Sequence, residues 1–151
     1  MENIDPAMAR RVWQRVRGET AQPRSGPSLQ ILMEEVWEDA HSYRYLSRRH
    51  RGKTSALYAQ LYRQTMEHLR ILKGICALCD QCNPVLTPIQ PRQEPESIFL
   101  RRCHGRALQR LNWYAANEND PQYGHLLPPL IRQTNHHTQL LLQLMTRPGI
   151  K

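Results

Sequence analysis

Residues 28–53 read SLQILMEEVWEDAHSYRYLSRRHRGK. From Leu29 onward the positions Leu32, Val36, Ala40, Tyr43 and Leu46 recur at steps of 4, 4, 3 and 3, which is one apolar face of a helix. Ser28 offers an N-cap, and Gly52 a stop. Upstream, residues 7–17 (AMARRVWQRVR) place Met8, Val12 and Val16 at helical spacing among arginines, and GETAQPRSGPS reads as a linker. The chain thus divides into an N-terminal helix and linker, residues 1–27, and a bundle, residues 28–146.

Downstream, a second helix is expected from about Thr54 to Leu78, with Leu57, Leu61, Thr65, His68 and Leu72 on one stripe. Residues 83–96 (NPVLTPIQPRQEPE) hold four prolines and form an extended connector. A third helix follows from about Ser97 to Asn117, with Leu100, His104, Ala107, Leu111 and Tyr114 in line. The fourth runs to about Met145 along Leu126, Leu130, Thr134, His137 and Leu141. Its start is open: Asp120-Pro121 reads as an N-cap followed by proline, while Pro128 and Pro129 either kink that helix or mark its true beginning. The layout is two helical hairpins joined by a long crossover, an all-α four-helix bundle, with an irregular orthogonal bundle as the alternative.

Composition agrees with this. The chain has 151 residues with one Phe and seven Gly, which argues against a β-sandwich or a Gly-rich nucleotide fold. No apolar run approaches the roughly 20 residues that span a bilayer, and the N-terminus lacks the apolar segment of a secretory signal, so a cytoplasmic protein is expected. Twenty-one Lys+Arg against thirteen Asp+Glu give a formal +8. The acids are unevenly placed: none lies between 97 and 117, and none after 120.

The two halves repeat. Tyr43 and Tyr114 are 71 residues apart, as are Val36 and Ala107, and Thr65-x-x-His68 returns 69 residues later as Thr134-x-x-His137. With EDAHSYRYLSRRHRGK, MEHLRILKG, RRCHGRALQRLNWYAANENDPQYG and NHHTQLLLQL, this repeat resembles the ferritin-like superfamily, most closely its bacterial rubrerythrin-like branch. The resemblance covers about residues 28–146. It implies a non-haem di-iron protein handling peroxide, oxygen or iron, in which each half supplies a Glu seven residues before a Tyr and then a Glu-x-x-His. Hard carboxylate oxygens bridge and neutralise the irons in such a site, and imidazole fills a terminal position. Here the glutamate positions hold Val36, Thr65, Ala107 and Thr134, and only His68 and His137 match. Restoring four acids would lower the formal charge from +8 to +4.

Three functional readings follow. The first is a family member whose di-iron ligands are lost, a non-catalytic binding or scaffold protein whose histidines are core residues and which needs no cofactor. The second keeps a metal, iron or zinc by analogy, on His68 and His137 with Glu35 or Asp39. The third is a basic bundle that binds anions or nucleic acid through Arg44, Arg48, Arg49, Arg51 and Lys53, a run with no acid between 40 and 53. Against the third stands the absence of a stacking platform or reading helix, which makes a solvated basic turn the leading reading of those residues. Cys76-x-x-Cys79-x-x-Cys82 could bind zinc or an iron–sulfur cluster, or form a redox-sensitive Cys76–Cys79 pair. Cys103 belongs at the opposite end of the bundle if the second and third helices run parallel. Free thiols or a metal are expected over disulfides. The sequence GKTS at 52–55 is no phosphate loop, because Ser47 stands where that loop needs glycine. Analogy also suggests a homodimer, and no membrane association is expected.

Overall fold

The computed structural model describes residues 28–79, 82–83, 85–88, 90–91 and 93–150. The helix expected over 7–17 lies outside them. The described residues form four α-helices: α1 (Leu29–Arg49), α2 (Gly52–Cys79), α3 (Glu96–Ala116) and α4 (Leu127–Met145). A short 3₁₀ turn, Gly124–Leu126, precedes α4. No described residue is in a strand.

Local chemistry sets the boundaries. The Ser28 hydroxyl accepts from the Ile31 amide at 3.2 Å and caps α1. Extended His50 ends α1, and Gly52, at φ +63°, turns the chain into α2 in a conformation that L side chains rarely adopt. Asp120 caps the turn after α3 rather than a helix, accepting from the amides of Gln122 (2.7 Å) and Tyr123 (3.1 Å). The structure therefore chooses the later start for α4: Pro128 and Pro129 lie in its first turn, where a missing N–H is tolerated. Gly124 is required nearby, because a Cβ there would come within 2.3 Å of the Glu118 carbonyl oxygen.

The hairpins α1–α2 and α3–α4 each pack internally, and the two halves meet through α1 against α3 and α2 against α4. Glu96 at the start of α3 bonds His50 at 3.1 Å and Arg147, just after α4, at 2.6 Å. At the other end, Gln122 donates to the Leu78 carbonyl at 2.6 Å. Helices α2 and α3 therefore start at the same end and run parallel. The crossover must climb the bundle to join them, and does so along α1: Asn83 N–H donates to Gln30 Oε1 (2.8 Å), and Trp37 Nε1–H to the Thr87 carbonyl (2.7 Å).

Two apolar clusters fill the interior. One, with Leu32, Met33, Val36, Leu69, Leu72, Ile75, Tyr114, Leu127 and Leu130, lies toward the α3–α4 turn. The other, with Tyr43, Tyr58, Leu61, Phe99, Leu100, Leu141 and Leu144, lies toward the α1–α2 turn. On α3 the face differs from the expected stripe. His104 and Leu111 are only half-buried, and Cys103 and Arg110 go inside instead. No helix among the described residues is long and apolar enough to cross a membrane.

Candidate functional site

Polar side chains from all four helices are buried in the bundle: Asp39, Thr65, His68, Arg110, Thr134 and His137. The four positions where the resemblance expects glutamate, Val36, Thr65, Ala107 and Thr134, are all buried too.

Both histidines are engaged across the halves. With the Gln133 side-chain carbonyl accepting, His68 Nδ1–H donates to it at 2.9 Å, which leaves Nε2 to accept from the Tyr114 hydroxyl at 2.5 Å. His137 Nε2–H donates to Gln64 Oε1, also at 2.9 Å. Each half's histidine therefore bonds the other half's glutamine. Sequence reading missed Gln64 and Gln133, although the signal was present: the repeat is Gln-Thr-x-x-His at both 64–68 and 133–137, one residue longer than the Thr-x-x-His match. Thr134 Oγ1 donates to the Leu130 carbonyl at 2.7 Å, while buried Thr65 Oγ1 has no partner.

A charged set lies where α1 meets α3. Arg106 donates to Asp39 Oδ1 at 2.7 Å and pairs with Glu38 at 2.8 Å and Glu35 at 3.7 Å. Arg110 approaches Asp39 Oδ2 at 3.9 Å, beyond hydrogen-bond reach, and its buried Nε and Nη1 have no acceptor. A residue type that is mostly exposed in folded proteins is here only 4% exposed. Its burial too had a signal. At the offset of 71 that relates the tyrosines, Asp39 maps onto Arg110 and Glu35 onto Arg106.

Burial and the Arg110 charge control protonation in this centre. Burial first, and then the positive guanidinium of Arg110, hold His68 well below its usual value and lower His137 to about 3. Both imidazoles are neutral at pH 7. Burial raises the Asp39 carboxyl, against the pull of Arg106 and Arg110. For Arg106, burial works downward, and Asp39, Glu38 and Glu35 override it and hold the guanidinium above its ordinary value. Desolvation likewise raises Tyr43, Tyr114 and Cys103, and the Tyr43 hydroxyl hydrogen-bonds the Cys103 thiol.

The nominated metal ligands His68, His137, Glu35 and Asp39 are thus divided between two arrangements, imidazoles with amides and a phenol, carboxylates with arginines. Among the described residues, no three His, Cys, Asp or Glu side chains are grouped to hold a metal ion. The iron centre implied by the resemblance does not fit this set. Aliphatic and hydroxyl groups occupy the bridging positions, and Arg110 adds a positive potential that repels a dication.

The cysteines correct the expectation of free thiols and of a Cys76–Cys79 pair. Cys76 is disulfide-bonded to Cys82, with Cα atoms 5.6 Å apart. The reason is local: α2 ends at Cys79, and the chain leaving it brings Cys82 back alongside Cys76, within ordinary bridging distance. Cys79 remains a buried thiol, raised to about 11 by burial and the nearby Asp120 charge. Cys103 is free and buried in the opposite apolar cluster, so the four cysteines do not converge.

Arg44, Arg48, Arg49, Arg51 and Lys53 are all exposed around the α1–α2 turn. Two are poised over rings, Arg44 at 5.7 Å from the Tyr62 centroid and Arg49 at 5.4 Å from that of Tyr45. No protein-family model, no curated protein and no solved structure matches this chain.

Proposed function

We propose that this chain is a rubrerythrin-like member of the ferritin-like superfamily in which an internal network of ion pairs and hydrogen bonds has replaced the di-iron centre. It works as a non-catalytic binding or scaffold protein. The observation that carries this reading is Arg110: a buried cation beside Asp39, whose charge helps hold His68 and His137 neutral, occupies the region where the resemblance would put cations of another kind. Supporting it are the burial of all four substituted glutamate positions and the reciprocal His–Gln bonds, which give both imidazoles a structural task. The same reading carries the expectation of a cytoplasmic protein that pairs with a second copy.

Metal analysis of protein produced with iron and zinc in the medium tests it. Far less than one metal per chain is expected. Stoichiometric metal that disappears in His68→Ala/His137→Ala would overturn the reading and establish an altered metal site on those residues.

A further inference from the structure

The fold sorts charge by end. Of the nine described carboxylates, Glu34, Glu35, Glu38, Asp39, Glu67, Glu118 and Asp120 lie at mid-bundle or toward the α3–α4 turn, and only Glu94 and Glu96 lie at the α1–α2 end. Those two are half-buried and paired. Glu94 pairs with Arg102, and Glu96 accepts from Tyr58, His50 and Arg147. Burial would raise the Glu96 carboxyl, but the Tyr58 and Arg147 hydrogen bonds and the charges of Arg147 and His50 hold it below its usual value, so it stays ionised and committed. No described carboxylate lies within ion-pair distance of Arg44, Arg48, Arg49, Arg51 or Lys53. The fold brings those two acids to the basic turn and pairs both with other partners, so that among the described residues no carboxylate is left to neutralise the five exposed cations.

We infer that this end of the bundle is a docking surface for the phosphodiester backbone of a nucleic acid. The five cations are exposed, so each anion contact is screened by solvent and individually weak. A small anion gains too little from them, whereas a polymer that engages several at once sums the contacts and releases its own counterions. Arg44 and Arg48 stand one helical turn apart, about 6 Å, on the same face of α1, a spacing suited to successive phosphates of an extended backbone. Four of the five are arginines, whose forked donors match phosphate oxygens. An acidic protein or a membrane would need an apolar centre or face beside the charge. The large exposed apolar groups toward this end, Tyr45, Ile98 and Leu142, belong to three different helices. This inference supplies a partner class for the binding role proposed above. Metal content measured on the same sample reports that proposal separately.

Fluorescence anisotropy with the full chain and a labelled single-stranded 20-mer DNA tests it. Engagement of four to five phosphates predicts a log–log salt slope of about −3, hence roughly 60-fold weaker binding at 200 mM than at 50 mM salt. Arg48→Glu/Arg51→Glu should cost at least tenfold. Arg70→Glu/Arg132→Glu, an equal charge change on exposed residues elsewhere, should cost less than twofold. All four are exposed, so helicity should be unchanged, and Arg48→Gln/Arg51→Gln should give an intermediate loss. The inference is overturned by absence of binding at 50 mM salt, by equal losses in the two double variants, or by salt-independent binding. Polyglutamate or phosphatidylserine vesicles binding as well as the DNA would overturn it too, in favour of an acidic protein or a membrane.

Discussion

Residues 35–68 and 106–137 share one set of hydrogen-bonding side chains and carry opposite charges beside it. Tyr43 and Tyr114, Gln64 and Gln133, Thr65 and Thr134, and His68 and His137 correspond pair by pair, whereas Glu35 and Asp39 correspond to Arg106 and Arg110. If α3 repeated the acids of α1, like charges would be buried face to face where these helices meet. With arginines there, Arg106 instead bonds Asp39 at 2.7 Å. A duplicated hairpin can thus keep its neutral polar groups in symmetric copies, but its buried charges have to differ.

The largest expected effect comes from breaking that difference. Asp39→Asn takes the neighbouring carboxylate from buried Arg110 and leaves Arg106 with Glu38 and Glu35 alone, and should cost about 3–5 kcal/mol in urea unfolding at pH 7. Exchanging the pair as Asp39→Arg/Arg110→Asp restores opposite signs across α1 and α3, and should recover more than half of the loss seen in either single variant. A double variant no better than the singles would mean that position, and not sign, is what the two halves require.

Acid comes next. His68 and His137 are both held below the ordinary histidine value of 6.5, His137 at about 3. Above pH 6.5 both folded and unfolded states are neutral, and the buried histidines carry no penalty. Below it the unfolded chain gains protons that the folded chain does not. Stability should fall by roughly 1 kcal/mol per pH unit for each histidine from about pH 6.5 toward pH 4. His137→Gln should remove about half of this slope, and an unchanged slope would place the acid sensitivity elsewhere.

The smallest effect separates the two tyrosines. Tyr114→Phe strands the buried His68 Nε2 acceptor and should cost about 1–3 kcal/mol. Tyr43→Phe loses only a bond to the Cys103 thiol, a weak acceptor, and should cost under about 1 kcal/mol by thermal unfolding. Equal losses would show that the hydroxyls, like the glutamines, act as symmetric copies.

The helices themselves were legible because burial imposes a period: Leu32, Val36, Ala40 and Tyr43 on α1, and Leu61, Thr65, His68 and Leu72 on α2, are buried as their spacing predicts. The face of α3 differs from the expected one at two positions because His104 and Leu111 fit the helical period as well as Cys103 and Arg110 do. Arg110 reads as a surface residue until Asp39 is seen opposite it, and that pairing is a property of two helices. Gln64 and Gln133 escaped for a similar reason. Glutamine gives no sign of burial on its own, and only the comparison of the two Gln-Thr-x-x-His segments marks it. The Cys76–Cys82 bridge depends on how the chain leaves α2, which periodicity does not describe.

The crossover along α1 has a further consequence, for the order of assembly. Because it separates two hairpins that are each local in sequence, α1–α2 and α3–α4 can form early with little loop-closure cost, and docking of the halves is left to the end. The side-chain bonds of His68, His137 and Arg106, His68 to Gln133 and Tyr114, His137 to Gln64, and Arg106 to Asp39, join one half to the other. A docking slipped by one turn would bury the same apolar surface but strand charges and imidazoles without partners. The polar centre therefore serves as a register check, admitting one alignment of two hairpins whose apolar faces alone would accept several.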